Sequence, residues 1–300
     1  MKQHTKHFLS LAGLALVGAS LNAQTVIYEG FADSDSSLDG NTTGSGLTGN
    51  WSAGSGSTIV ADQPFGNLDT SGNASQHATN NWDNPTAAID STALNANPTD
   101  GLLRDGGEMW FSLTYNGALF DGQTNSVYHR FAFGIGDGGF GSNGDLATTG
   151  DQAIGFGVSG TNLYGGLWET ENWGSNSLNG GAPATDDGTI AATSLNDGQT
   201  YFIVGHVQWG ATSGANDTLS IYLPGTDLSL GSAVASSTGV LSQDSFDTLA
   251  FHSGNQFISI IDEVRVGASY ADVSPVPEPS SFGLIAGFLG LTWVMLRRRR

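Results

Sequence analysis

The 300-residue chain has no cysteine. No disulfide can staple its fold, and thiol chemistry is excluded. Cations are almost as scarce. Of 9 lysines and arginines, Lys2, Lys6 and Arg297, Arg298, Arg299 and Arg300 sit at the two ends. Residues 24–275 keep only Arg104, Arg130 and Arg265, without any lysine, against 27 acids, a net charge of −24. Such a surface repels nucleic acid and anionic lipid. It suits divalent cations, cationic polymers or plain solubility. Sustained helical periodicity is missing from the same stretch. No His-x-x-x-His pair proposes zinc. No Gly-x-Ser-x-Gly elbow accompanies His77, His129, His206 and His252. Each histidine reads as a strand or loop residue.

What is present begins at the ends. Met1 to His7 carries two lysines and no acid, Phe8 to Ala19 is apolar and small, and Leu21-Asn22-Ala23 offers a small-residue exit. This is the pattern of a secretory signal peptide over residues 1–23, cut between Ala23 and Gln24, with a cut after Ala19 as the alternative. The last 25 residues, 276–300, hold Pro277-Glu278-Pro279, an apolar run from Phe282 to Leu296 and the four arginines. As a helix, 282–296 covers about 22 Å against a hydrocarbon core of about 30 Å. That is a weak transmembrane span. The arginines stay cytoplasmic by the positive-inside rule, which places the body outside.

This order of parts resembles the PEP-CTERM sorting signal. The resemblance covers about the last 25 residues. It implies an exosortase-type enzyme that reads Pro277-Glu278-Pro279 and removes the tail. It further implies transient anchoring in the inner membrane of a Gram-negative bacterium, and final residence in the cell envelope, at the surface or outside the cell, in an exopolysaccharide or biofilm matrix. An ordinary single-span tail would instead anchor the protein permanently.

Residues 24–275 are rich in turns, with strand-like alternation between them. Met109, Phe111, Leu113 and Tyr115 alternate with polar or aromatic neighbours. So do Phe131–Ile135, Ile154–Val158 and Leu219–Leu223, while Tyr201–Trp209 and Phe257–Val266 read as strong strands. Weaker strands are expected at 26–31, 57–61, 163–168 and 245–252. About ten strands between Gly/Asn/Asp turns predict an all-β, antiparallel two-sheet sandwich. Residues 33–106 read as long loops with one or two short strands. The segments "QTYFIVGHVQW", "NDTLSIYLPGTD" and "FISIIDEVRVGASYADVSP" resemble, in order, the last strands of concanavalin-like and laminin-G-like jelly rolls. That likeness spans about Gly107 to Ser274. It implies a family of carbohydrate binders, glycoside hydrolases and adhesion modules, so it names no single function.

No residue set spells out a reaction. Glu169 and Glu171 in "WETENW" share a strand face, with Trp168 and Trp173 as a possible sugar platform. The laminarinase-type pattern needs a third carboxylate, and Glu171-Asn172-Trp173-Gly174 supplies none. In "IDEVR", Asp262 and Glu263 should point to opposite faces. Glu263 and Arg265 should form a surface ion pair, and Asp262 should accept backbone hydrogen bonds from a loop. Calcium is the one ion the sequence suggests. The glycine loop from Gly136 to Asp145 offers Asp137, Asn143 and Asp145, and echoes a single calcium-repeat unit. Asp33 to Asn41 starts like an EF-hand but lacks its sixth-position glycine and closing glutamate. Trp82 and Trp173 are the candidates for stacking on a sugar ring, whereas Trp110 and Trp209, on strands, belong to the core. The composite expectation is an exported, non-enzymatic envelope or matrix protein in contact with glycan. The alternative is a glycan-active hydrolase or lyase on the same fold.

Overall fold

A computed structural model describes residues 25–33, 36–70, 72–79, 83–95, 101–119, 130–140, 151–159, 162–169, 190–243, 246–254 and 257–276. The expected signal peptide, its cut site, the Pro277-Glu278-Pro279 step and the arginine-sealed tail lie outside them. Among the described residues, no helix is long and apolar enough to cross a membrane.

In chain order the elements are β1 (Thr25–Glu29), β2 (Leu47–Ser52), β3 (Ser57–Ala61), β4 (Asn73–Thr79), β5 (Thr86–Ile89), α1 (Ser91–Asn95), β6 (Glu108–Leu119), β7 (Arg130–Gly136), β8 (Gln152–Ser159), β9 (Asn162–Glu169), β10 (Ile190–Ser194), β11 (Thr200–Gln208), β12 (Asp217–Tyr222), β13 (Ala235–Gly239), β14 (Thr248–Ser253), β15 (Phe257–Gly267) and α2 (Tyr270–Val273). They form two antiparallel sheets. One runs β13-β12-β11-β6-β15-β4-β3, and β1 joins it beside the second half of β15. The other runs β10-β9-β8-β7-β14-β5-β2.

The sheets share one core, because alternate residues of each strand point inward. Phe111 on β6 meets Phe133 on β7 at 5.3 Å between ring centres, and Tyr115 meets Phe131 at 4.9 Å. Trp51 stacks on Phe251 at 5.6 Å. Close packing demands glycine at one central point: a Cβ on Gly205 would lie 2.0 Å from the Phe111 ring. Outside this core, Leu68, Trp110, Phe202, Val204, Leu228 and Val273 form a second cluster. It lies on the outer face of the larger sheet, under the loop after β3, the loop after β12 and α2. Trp209, just past β11, is buried in the shared core as expected, whereas Trp110 is buried in this outer cluster and not between the sheets.

All ten expected strands are present. The reading of residues 33–106 needs correction, since four strands, β2 to β5, and α1 lie there. Their inward positions are filled by residues such as Ser57, Ser75, His77 and Ala87. Hydrogen bonding satisfies the polar ones, so the apolar alternation that marks a strand is absent.

Candidate metal centre

The site begins with an irregularity in β15. Asp262 pairs with Thr114 and Arg265 with Ser112, so three steps on β15 match two on β6. This is a β-bulge, and Glu263 occupies it with φ +56. Left-handed backbone costs a non-glycine residue about 1–2 kcal/mol. The bulge breaks strict alternation. Asp262 and Glu263, expected on opposite faces, therefore converge. Asp62 joins them from the loop after β3, and one oxygen of each carboxyl lies within 4.8 Å of the others.

Every oxygen here has a defined setting. Asp262 is fully buried and accepts from the backbone N–H of Gln63 at 3.1 Å and of Glu263 at 2.7 Å. The expected bond from a loop is thus found in Gln63, while the second comes from within β15. Burial, reinforced by a hydrogen bond with the Asp62 carboxyl, pushes Asp262 up to about 9. Asp62 is half-buried; its Oδ2 accepts from the Thr70 hydroxyl at 3.0 Å. Its Oδ1 is buried and has no donor while both aspartates are ionised. Glu263 accepts from the Tyr28 hydroxyl at 3.1 Å and pairs with Arg265. The Arg265 guanidinium also donates to the Asp69 carbonyl at 2.6 Å and lies 5.1 Å over the Tyr28 ring. The expectation of a surface ion pair is wrong. Glu263 is 0% exposed and Arg265 5%, because the bulge turns Glu263 inward and residues 62–70 cover the pair.

Three carboxyls thus face one guanidinium. Were all three ionised, two negative charges would stand unmatched in a buried place, which is costly. Two remedies exist: a proton on Asp262, or a divalent cation among the oxygens. The donor set is oxygen alone, which suits a hard cation such as calcium. The orphaned Asp62 Oδ1 is the atom such an ion would satisfy. Asp62 carried no signal in the sequence; one acid in a chain of acids becomes special only when the bulge brings two more to it.

The residues proposed from sequence fare differently. Asp137 accepts a hydrogen bond from the backbone N–H of Gln152, at the end of its own hairpin. Asn143 and Asp145 lie outside the described residues, as do Trp82, Glu171 and Trp173. Trp168 is 1% exposed and lies across Gly166, where a Cβ would meet its indole at 2.0 Å. It is packed into the fold and is not half of an open platform.

A second polar cluster has the composition of a catalytic triad. Ser57, His77 and Asp83 are at most 3% exposed. The Ser57 hydroxyl donates to Asp83, its oxygen lies 2.7 Å from His77 Nδ1, and Ser75 Oγ lies 3.2 Å from His77 Nε2. The serine proton therefore goes to the aspartate and not to the imidazole. With the backbone N–H of Gly54 on Asp83 at 2.8 Å, the cluster pins three chain segments together. Burial raises the Asp83 carboxyl, but the His77 imidazole 3.8 Å away and hydrogen bonds from Ser57 and Gly54 outweigh it and hold the group below the ordinary carboxylate range.

No protein-family model matches the chain, and no curated protein matches it. Among solved structures, the chain is similar to an endo-β-1,4-glucuronan lyase of the fungus Trichoderma reesei (12% identity, 84% of this chain and 99% of that one, TM-score 0.44). It is similar also to a carbohydrate esterase of the Shiga toxin-encoding bacteriophage phi24B (14% identity, 82% and 99%, TM-score 0.46). A third is the Emp47p carbohydrate recognition domain (8% identity, 82% and 96%, TM-score 0.39). Identities of 8–14% and TM-scores of 0.39–0.46 are too low to carry a chemistry across.

Proposed function

We propose that residues 24–275 form an exported, non-enzymatic jelly-roll body. A PEP-CTERM tail delivers it through an exosortase-type system to the cell envelope or extracellular matrix, where it contacts exopolysaccharide. The observation that carries this reading is the junction between fold and tail. The hydrogen-bonded body runs to Pro275, Val276 is open to solvent, and Pro277-Glu278-Pro279 follows at once. A removable tail requires a body clasped ahead of the cut, as the described residues are up to Pro275. The acidity fits the same account, since a protein with three cations in 252 residues stays soluble and avoids nucleic acid outside the cell.

Calcium belongs to this proposal. Asp62, Asp262 and Glu263 would hold it, and its chemistry there would be neutralisation of buried charge and the joining of the loop after β3 to β15. The loop of Asp137, Asn143 and Asp145 is the competing position.

The functional reading is tested by incubating recombinant 24–275 with a panel of acidic and neutral polysaccharides. Retention on at least one polymer, with neither new reducing ends nor unsaturated products, is the expected result. Time-dependent release of either product would overturn the non-enzymatic assignment in favour of a hydrolase or lyase.

A further inference from the structure

The two described ends of the chain meet at one pole. Thr25 opens β1 opposite Gly267, the last residue of β15. Its hydroxyl donates to the Asp272 carbonyl at 2.7 Å. Ser269 caps α2, and the Asp272 carboxylate returns the bond by accepting from the Ser269 backbone at 2.8 Å. The Ser112 hydroxyl donates to the carbonyl of buried Val273 at 2.7 Å. The backbone N–H of Asp69 donates to the Pro275 carbonyl at 2.9 Å. Arg265 in turn holds the Asp69 carbonyl. The chain is clasped through Pro275, and Val276 is 51% exposed.

Seven residue steps separate Pro275 from Phe282, the first residue of the apolar run. Fully extended, they reach at most about 25 Å. A body of this length has a radius of gyration of about 18 Å and hence a diameter of about 46 Å. The tether is about half as long as the body is wide, so the clasped pole is the part that can lie beside the bilayer. The segment that leads to the tail exposes no charge of its own. From Ala268 to Val276 the exposed residues are Ala268, Ser269, Ala271 and Val276, all small and uncharged. The one acid of the stretch, Asp272, is buried in the helix cap. Exposed Asp69, bonded to Pro275, and exposed Asp227, beside Tyr270, flank this segment on neighbouring loops, so the placement is set by the reach of the tether and not by charge attraction.

We propose that this pole, built from the start of β1 and α2, is a membrane-facing surface whose partner is the lipid bilayer that holds the tail. The inference rests on the reading of residues 282–296 as a membrane segment. It places the sorting step in the gap between the pole and the lipid. It also turns the opposite end of the larger sheet outward. The turn at Asn196–Gln199 lies there, bonded to Gly117 and about 23 Å along β6 from Trp110, the partner of Gly267.

The absence of native cysteine makes the test direct. Full-length Ala271→Cys and Asp197→Cys are each labelled with an environment-sensitive dye. Each is reconstituted into phosphatidylcholine vesicles carrying nitroxide head groups. Both proteins should float with the vesicles, with quenching several-fold stronger at position 271 than at 197. Flotation with equal quenching overturns the pole assignment and leaves the tail reading intact. Absence of flotation overturns both. Should Ala271→Cys melt differently from wild type, Ala268→Cys on the same pole replaces it.

Discussion

Asp262 is the residue in which the local chemistry concentrates. It lies on the last strand, is fully buried, and is raised to about 9 by burial and the neighbouring Asp62 carboxyl. An ion bound only to the folded state adds stability as RT ln(1 + [L]/Kd), about 2.7 kcal/mol at a hundredfold excess over Kd. Millimolar calcium should therefore raise the Tm of 24–275 beyond what sodium chloride of equal ionic strength achieves. Asp262→Asn and Asp62→Asn should abolish the difference, while Asp137→Ala leaves it unchanged. The reverse pattern would return the ion to the glycine loop; equal shifts from calcium and salt would remove it from the protein. Asp83 supports a prediction on the acid side. Its folded-state carboxyl lies below the ordinary aspartate value of 3.8. The unfolded chain therefore binds the proton first, and stability rises with pH through that window. The contribution is fully present above 3.8 and is lost as pH falls toward the folded value. Urea midpoints between about pH 5 and pH 2.5 should fall more steeply for wild type than for Asp83→Asn. Parallel slopes would mean that the Ser57–His77–Asp83 cluster contributes nothing to acid stability.

Among the elements, β15 does most of the organising. It pairs with β6 along its whole length, with β4 at its start and with β1 at its end. Its bulge inserts Glu263 between the two halves and buries an ion pair there. Removing one member of a buried pair costs about 3–5 kcal/mol, because the other is left charged and unpaired. Glu263→Gln should cost about that much, and Arg265→Met in the same chain should recover part of it. Denaturant titration of the two single variants and the double variant checks the cycle. Additive losses would show that the two side chains act independently. This element also shows where sequence reading stops. The alternation of Ile258, Ile260 and Ile261 with Val264 and Val266 announces a strand, but a period of two assigns Asp262 and Glu263 to opposite faces. Only the extra residue on β15 against β6 reverses that, and no local composition marks it. Conversely, β4 was hidden because its buried positions are Ala74, Ser75 and His77. Its inward face is held by hydrogen bonds and not by branched apolar side chains.

For the whole molecule, the two-sheet architecture was legible because Phe111, Phe133, Phe156 and Leu219 belong to strands whose apolar alternation is strong. The five strands without such alternation, β2, β4, β5, β10 and β13, are rich in Ser, Thr, Asn or Ala. The same whole-chain view joins fold to fate. Both ends of the body sit at one pole, and the last clasped residue stands two positions before Pro277. The central claim, that the chain is exported and then freed of its tail, is tested most directly by the intact mass of the protein recovered from a host that carries the sorting enzyme. The expected mass corresponds to a chain that starts at Gln24 and ends within or next to Pro277-Glu278-Pro279, and Glu278→Ala should retain the tail through Arg300. A wild-type mass that still includes residues 282–300 would contradict the account.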